Sequence, residues 1–214
     1  AMKTDAVDTV TYTIPVVFHI IHNNAPEKIS KSVIDQQMIT LNEDYNKGNI
    51  DTLAVRSIFK PLVSNVHIRF QLATQDPWGN CTDGVEYVES SGTYNATDDA
   101  KSLAWWDNTK YLNVWIVNSL SQPDGVQGVL AGYSSFPWEA ASKASTDGVI
   151  ISYNFIGTNQ KTLPHEIGHY LGLYHTFQDG CSSNQSLQGD KIADTPPVAS
   201  ASFGYNTSAN TCHA

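Results

Sequence analysis

Two spacings of apolar residues, one typical of strands and one typical of helices, alternate along the chain. Residues 9–21 form an apolar, β-branched stretch, which predicts the first strand. From Ser32 to Tyr45 the apolar side chains recur at helical spacing, so we predict a helix that buries Met38 against the core. Residues 91–107 are polar and irregular. Further strands are predicted at residues 66–74, within 80–91, and at 111–117, 128–136 and 148–153.

A second long helix is predicted directly after the final strand. Pro164 suits the first turn of this helix, with Thr162 as its cap, and Gly172 suits its end. Beyond His175 the chain is rich in Ser, Asn, Asp, Gly and Pro, and it is predicted to be loop-like. This order of elements predicts an α/β (α+β) fold, in which a twisted mixed sheet and two long helices precede an irregular region.

The second helix carries the most specific chemical pattern in the sequence, HEIGHYLGLYH. His165 and His169 are four residues apart, so a helix places both imidazoles on one face, where they can bind one zinc ion. Glu166 lies beside His165 and can reach a zinc-bound water as a general base without being a ligand. Gly172 lets the chain leave the helix abruptly, which would bring His175 back as the third ligand. A fourth position stays open for water, as in catalytic zinc sites.

The alternative interpretation of this pattern is a buried amphipathic helix whose histidines belong to the core or the surface. The extended pattern fixes the residue at each of five positions, and chance rarely produces such a match. Glu166 is the last glutamate in the sequence, so a later helix cannot supply a glutamate ligand in place of His175. The histidines at positions 19, 22, 67 and 213 lack ligand spacing and are expected to be structural.

Composition and charge exclude several classes of partner. The 214 residues suit one domain, or one domain with a small annex, and 41% of them are hydrophobic, which is enough for a sizeable core. The formal net charge of −9 argues against nucleic acid and against an anionic membrane surface as partners. No apolar run is long enough to span a bilayer. The first residues are polar, so we expect that targeting and inhibitory pro-segments were removed or left out.

The pattern in the second helix resembles the zinc-binding motif of the metzincin metallopeptidases, and its surroundings resemble the pappalysin family. The matching stretches are residues 163–177 (LPHEIGHYLGLYHTF), 189–197 (GDKIADTPP), 15–23 (PVVFHIIHN), 68–74 (IRFQLAT), 111–118 (YLNVWIVN) and 147–153 (DGVIISY). The resemblance implies a metzincin-like fold with a five-stranded mixed sheet, a backing helix and an active-site helix. It also implies an upper catalytic subdomain over residues 1–175 and an irregular, incomplete lower subdomain over residues 176–214.

The same resemblance implies a secreted, zinc-dependent endopeptidase that cleaves protein or peptide substrates with Glu166 as its general base. In metzincins an extended peptide adds as one more strand to an antiparallel edge strand above the cleft. In this sequence that edge strand would consist of Val129, Leu130, Ala131, Gly132 and Tyr133.

A second metal site is implied by a stretch that follows the zinc-binding motif and resembles the calcium loop of the pappalysins. Carboxylate and carbonyl oxygens are the ligands that a hard cation such as calcium prefers. An acidic surface turn is the alternative interpretation of this stretch. The calcium ligands that the resemblance implies are Gly189, Asp190, Ala193, Asp194 and Thr195.

The sequence contains three cysteines, so at least one of them has no partner within the chain. Cys181 and Cys212 resemble one of the two disulfides of the family, which implies that they are bridged and that the compartment is oxidising. Cys81 has no obvious partner, and two interpretations stay open: a buried free thiol, or a pair with a cysteine outside this chain.

One element of the family has no counterpart in this sequence. Metzincins carry a methionine in a tight turn below the zinc, downstream of the third histidine, whereas Met2 and Met38 both precede the motif. We therefore expect a truncated or self-cleaved form whose lower subdomain is incomplete. This expectation leaves a second hypothesis open, in which the chain binds zinc but is an inactive fragment or a peptide-binding module.

Overall fold

Within the described residues, six strands form one mixed sheet: β1 (Tyr12–His22), β2 (Ile68–Leu72), β3 (Val85–Glu89), β4 (Leu112–Val117), β5 (Gly132–Ser134) and β6 (Val149–Ser152). The α-helices are α1 (Lys31–Tyr45), α2 (Asp98–Lys101) and α3 (Thr162–Tyr170). The computed structural model describes residues 10–123, 128–181, 189–192, 195–202 and 211–212.

The sheet is built around the long strand β1. Its first half, Tyr12–Val16, pairs with β2, and its second half, Phe18–His22, pairs with β3, so β2 and β3 follow one another along one side of β1. On the other side lie β4 and then β6, which are parallel to β1, and β5 is antiparallel to β6 at the end of the sheet. Six strands thus occupy five positions, in agreement with the predicted five-stranded mixed sheet.

The main apolar core lies between the sheet and the helices α1 and α3. Helix α1 contributes Ile34, Met38 and Leu41, and α3 contributes Leu163 and Ile167, all of which are buried. Met38 therefore lies on the core face of α1, as its helical spacing predicted. Because α3 also packs against β5 and β6, the core fixes the helix that carries the zinc-binding motif.

The strand predicted at residues 128–136 is confined to β5. Gly132, the first residue of β5, lies so close to β6 that an added Cβ would come within 3.0 Å of the carbonyl oxygen of Ile150. Before this point the chain does not follow β6 as a strand. The alternation of apolar residues therefore overestimated the length of the strand, because it reports which side chains are apolar and not where a neighbouring strand runs.

One short helix and one helix boundary also differ from the prediction. The segment 91–107, predicted to be irregular, contains the four-residue helix α2 with Thr97 as its cap. A helix this short has no apolar periodicity, so the hydrophobic pattern does not reveal it. Thr162, predicted as the cap of α3, is its first residue, because the helical hydrogen bonds already begin with the N–H of His165 and the carbonyl of Lys161.

A buried histidine in β1 ties three strands together. The Nδ1 atom of His19 lies 2.9 Å from a carboxylate oxygen of Glu86, and its Nε2 atom lies 2.9 Å from Oδ1 of Asn113. The backbone of Trp106 orients Asn113, since its N–H donates to Oδ1 and its carbonyl accepts from Nδ2. Both ring nitrogens of His19 therefore have a hydrogen-bond partner, and the ring links Glu86 of β3 to Asn113 of β4. This role is structural, as the lack of ligand spacing indicated.

Replacement of Glu86 by alanine is expected to lower the free energy of unfolding by about 1 kcal/mol, because the buried ring of His19 loses a partly exposed hydrogen-bond partner. The hydrogen bond from His19, together with its charge, holds the pKa of Glu86 below its usual range. The deficit should therefore be present near neutral pH and shrink as the pH falls through this lowered pKa. Urea unfolding at several pH values measures the deficit.

The matched control for this prediction is Glu89→Ala, since Glu89 lies on the same strand and is exposed. Its free energy of unfolding should stay close to that of the parent at every pH. An equal loss of stability in both variants, or a Glu86 deficit that grows in acid, would contradict the proposed pairing of His19 with Glu86.

The chain divides into two compact units, Ala1–Tyr170 and Leu171–Ala214. This division precedes the predicted boundary after residue 175, and the assignment of an upper and a lower subdomain stays a prediction. In the second unit a disulfide joins Cys181 and Cys212, in agreement with the pairing that the family resemblance implied. Cys81 is free and exposed, so it is not the buried thiol considered above. Among the described residues, no helix is both long and apolar enough to cross a membrane.

Candidate active site

Helix α3 carries the first two histidines of the predicted zinc-binding motif. Leu163 and Ile167 are fully buried, one helical turn apart, and anchor α3 in the core. His165 and His169 each follow one of these anchors by two positions, which places both imidazoles on the opposite side of the helix. His165 is exposed and His169 is half-buried. The apolar anchors thus aim the two imidazoles away from the core.

The three histidines of the motif come together. The Nε2 atoms of His165 and His169 are 3.1 Å apart, and their rings are nearly perpendicular, with 88° between the planes. One ligand atom each from His165, His169 and His175 lies within 4.8 Å of the others. Two ligands of a tetrahedral zinc ion, each bound at about 2.0–2.1 Å, are roughly 3.3 Å apart. The donor set and the nitrogen separation therefore fit a shared zinc ion.

In the second unit, His175 lies in a turn that follows Gly172. Gly172 has a φ of +101°, a conformation that residues with a side chain rarely adopt, so the chain leaves the helical path here. The ring of His175 stacks on that of Phe177, with centroids 4.5 Å apart and planes 11° apart. The carbonyl of His175 accepts a hydrogen bond from the backbone N–H of Gln178. These contacts fix the orientation of the imidazole.

Loss of contact with water shifts the pKa values of two side chains on α3: partial desolvation affects His165, which is exposed overall, and burial affects Glu166. Desolvation and the neighbouring charge of His169 lower the pKa of His165, which favours the neutral imidazole that binds metal ions. Glu166 is only 7% exposed, and burial raises the pKa of Glu166 to about 7. A bound dication nearby would act in the opposite direction and favour the carboxylate. With a dication bound, Glu166 would therefore be in the carboxylate form that can accept a proton near neutral pH.

The predicted edge strand is shorter in the structure than in the sequence interpretation. Of its five residues, the first three precede β5 and the last two lie in it: Val129, Leu130, Ala131, Gly132 and Tyr133. The carbonyl of Ala131 still accepts from the backbone N–H of Ser152 in β6, but the N–H of Leu130 donates to the side chain of Gln122 instead. Strand pairing therefore ends at this point. Among the described strands, β5 pairs with β6 alone and forms the end of the sheet.

Aromatic residues after β5 lie beside the motif, and the sequence interpretation missed them. The ring centroid of Phe136 is 5.7 Å from that of His169, and Phe136 also stacks on Trp138. The hydroxyl of Tyr170, at the end of α3, donates to the carboxylate of Asp147 at 3.4 Å. In the sequence, these contacts are indicated only by the two aromatic residues on either side of Pro137. Such a pair is equally typical of a turn that covers the core.

The predicted calcium loop is described only in part. Of its five predicted ligands, the structure describes Gly189, Asp190 and Thr195, whereas Ala193 and Asp194 lie outside the described residues. A carboxylate oxygen of Asp190 accepts from the backbone N–H of Ile192 at 3.0 Å, and the N–H of Thr195 donates to the carbonyl of Ile192. Both bonds join residues of the same loop. In the part of the chain that the structure describes, the three histidines of the motif form the one cluster of metal-ligating residues.

The chain is similar in sequence to extracellular peptidases. Residues 95–214 match the profile of peptidase family M43, described as pregnancy-associated plasma protein-A. An extracellular metalloprotease of Podospora anserina is 34% identical, over 86% of this chain and 72% of its own length. An extracellular metalloprotease of Neurospora crassa is 31% identical, over 94% of this chain and 62% of its own length. One of Sordaria macrospora is 38% identical, over 60% of this chain and 46% of its own length. The chain thus spans less than two thirds of these last two relatives.

Solved structures of similar fold come from Tannerella forsythia. Mature mirolysin in complex with a cleaved peptide superposes with a TM-score of 0.78 and 35% identity, over 92% of this chain and 74% of mirolysin. A mutant of promirolysin has a TM-score of 0.78 and 34% identity, over 94% of this chain and 66% of its own. The chain therefore has a mirolysin-like metzincin fold, and the predicted fold class is confirmed.

Proposed function

The chain belongs to peptidase family M43, the family of pregnancy-associated plasma protein-A, and from this premise we propose that it is a secreted, zinc-dependent endopeptidase. The proposed reaction is the hydrolysis of peptide bonds with Glu166 as the general base. One observation carries the proposal: three imidazoles converge, and the residue next to the first of them is a buried carboxyl group.

His165, His169 and His175 would hold the zinc ion, since neutral imidazoles are good zinc ligands and their ligand atoms converge. When bound, zinc supplies a Lewis acid that polarises a carbonyl group and lowers the pKa of a water ligand toward about 7. Since all three ligands are uncharged, they do not offset the positive charge on which this chemistry depends. The donor set is therefore typical of a catalytic site.

Glu166 would move the proton of the reaction. As water attacks the carbonyl carbon, Glu166 takes one proton from it, and as the carbon–nitrogen bond breaks, Glu166 delivers that proton to the leaving amine. The carboxylate is thereby restored after each turnover. The burial that raises the pKa of Glu166 supports this role, because a buried carboxylate accepts a proton more readily than an exposed one, while a nearby dication would keep it ionised before the reaction.

We propose that the substrate is an extended peptide that pairs with the edge of β5 opposite β6, the end of the sheet among the described strands. Hydrogen bonds to the main chain of β5 would hold such a peptide largely irrespective of its side chains. The structure of mirolysin with a cleaved peptide supports a peptide substrate for this chain, and the pro-form of mirolysin supports a removable inhibitory pro-segment.

Secretion of the protein is supported by its relatives and by its disulfide. The similar proteins of Neurospora crassa and Podospora anserina are named extracellular metalloproteases. The bridge between Cys181 and Cys212 is of a kind that persists in oxidising compartments. We therefore propose that the chain acts outside the cell.

We further propose a structural calcium ion in the loop that contains Gly189, Asp190, Ala193, Asp194 and Thr195. Calcium at about 100 times its dissociation constant should stabilise the fold by about 2.7 kcal/mol, so a chelator that removes calcium but leaves zinc should lower the melting temperature. Calorimetry with and without calcium measures the shift. Asp190→Asn should abolish the increase in melting temperature that calcium causes. Asp179→Asn, which alters an exposed aspartate of the same unit, should retain that increase. A melting temperature of the parent that is independent of calcium would contradict the site.

Proteolysis in water enriched in heavy oxygen tests the proposed function. The zinc-loaded chain is incubated with unfolded casein, and the fragments are identified by mass spectrometry. We expect cleavage at internal bonds and one heavy oxygen in each new carboxyl terminus, since water supplies the attacking oxygen. Release of terminal residues alone, or new termini without the label, would contradict an endopeptidase that acts through water. A folded, zinc-loaded chain that leaves casein intact would favour the inactive or peptide-binding alternative.

A further inference from the structure

We propose that Phe136 and Trp138 form a binding site for one apolar side chain of the peptide substrate, close to the bond that is cleaved. The two stacked rings are called the aromatic platform below. This inference rests on the proposed peptidase function and adds a side-chain preference to it. Pairing with β5 would recognise the main chain of a peptide, whereas the aromatic platform would recognise one residue of its sequence.

The aromatic platform presents the ring of Trp138 to solvent, whereas Phe136 is half-buried beneath it. The rings of Phe136 and Trp138 have centroids 4.5 Å apart and planes only 9° apart. Trp138 is 59% exposed, whereas tryptophan is on average a highly buried residue. Exposed aromatic side chains on a fixed support are typical of binding surfaces, because they offer a large contact area with few rotatable bonds.

Hydrogen bonds hold the aromatic platform in place without a substrate. The carboxylate of Glu139 accepts from the backbone N–H of Phe136 at 2.9 Å and binds the ammonium group of Lys143 at 2.6 Å. The hydroxyl of Ser135, directly before Phe136, donates to the buried carboxylate of Asp147 at 2.6 Å. Because the segment is already ordered on both sides of Phe136, the entropic cost of binding a side chain there is small.

The aromatic platform lies along the path of a peptide that pairs with β5. Phe136 follows the last residue of β5, Ser134, by two positions, and its ring centroid is 5.7 Å from that of His169. An extended peptide advances about 3.3 Å per residue, so this separation corresponds to fewer than two residues. A peptide that runs along β5 and reaches His169 therefore passes the aromatic platform within a few residues of the cleaved bond.

The chemistry of the aromatic platform favours an apolar side chain over a charged one. The nearest acidic group of the segment, Glu139, is already engaged by the N–H of Phe136 and the ammonium group of Lys143. A cationic side chain would therefore interact with the ring faces alone and would lose hydration. A leucine or phenylalanine side chain would instead leave water at no such cost and stack on the exposed ring.

A peptide series with one varied position tests the aromatic platform. Peptides that carry glycine, leucine, phenylalanine or arginine at single positions around the cleaved bond are compared by kcat/KM. At one position the parent should favour leucine and phenylalanine over glycine by at least about tenfold. Trp138→Ala should lose at least about tenfold more activity on the leucine peptide than on the glycine peptide, and Trp138→Phe should recover most of the difference. The control is Trp78→Ala, which alters a tryptophan that is 78% exposed and lies on another turn. It should leave the relative kcat/KM values of the four peptides unchanged.

Peptide binding to Glu166→Ala separates this inference from the proposed function. The affinities of the leucine and glycine peptides are measured in that variant, with and without Trp138→Ala. A leucine preference that depends on Trp138 supports the aromatic platform, even if the parent cleaves no peptide. Cleavage and binding profiles that are identical with and without Trp138 would overturn it, while leaving the peptidase function intact. A preference for arginine at the position that responds to Trp138→Ala would overturn the apolar assignment.

Discussion

Replacement of Glu166 by alanine is expected to lower kcat for peptide cleavage by about 10²–10⁴-fold, while the zinc content of the protein stays the same. Glu166 would transfer the proton of the reaction, and it is not among the three residues whose ligand atoms converge. Folding should not suffer, because Glu166 is buried and burial raises its pKa to about 7, so its truncation removes a carboxyl group that is costly to desolvate.

Steady-state kinetics on a peptide substrate, together with metal analysis and thermal unfolding, measures this effect. Glu166→Gln keeps the volume of the side chain and should be similarly impaired, because an amide does not accept the proton. Glu43→Gln, which alters an exposed glutamate of α1, should behave as the parent. High activity of Glu166→Ala with zinc bound would contradict the role as a base, and loss of zinc from this variant would assign Glu166 a structural role.

Replacement of His169 by alanine is expected to weaken zinc binding by more than about 100-fold and to abolish cleavage. Loss of a residue that only supports a ligand typically costs about 10–100-fold in metal affinity, so loss of a ligand should cost more. His169 offers one of the three ligand atoms that lie within 4.8 Å of one another. Two imidazoles would remain, and the ring of Phe136, which lies beside His169, cannot bind zinc in its place.

Competition with a chelator of known zinc affinity measures the dissociation constants of the parent and of His169→Ala. His22→Ala is the matched control, since His22 lies at the end of β1 and its ring contacts Tyr87. This control should bind zinc like the parent. If His169→Ala bound zinc as tightly as the parent, the metal would have to lie elsewhere, and the assignment of the zinc ligands would be wrong.

The zinc-binding helix could be predicted from the sequence because its determinants are local. His165 and His169 share one side of α3 through helical spacing alone, and Leu163 and Ile167 supply the apolar side. Gly172 marks the point where the chain leaves the helix, and it has a positive φ. For the same reason the core face of α1 followed from its apolar spacing.

Other parts of the site depend on contacts between residues that are distant in the sequence, and no local pattern reports them. Phe136 lies beside His169 because β5 and α3 pack together. The sequence of neither segment indicates that the other is its neighbour. The length of β5 is set by where β6 runs. Likewise, the hydrogen bonds of His19 depend on Glu86 and Asn113, which come from two other strands.

Cleavage of casein by the zinc-loaded 214-residue chain, compared with Glu166→Ala at equal zinc content, shows whether the chain is an endopeptidase that depends on Glu166. We predict that the parent cuts casein at internal bonds and that the variant, folded and with the same zinc content, does not. Equal cleavage by both proteins would show that the activity does not depend on Glu166. A folded, zinc-loaded parent that leaves casein intact would contradict the claim that this chain is an endopeptidase.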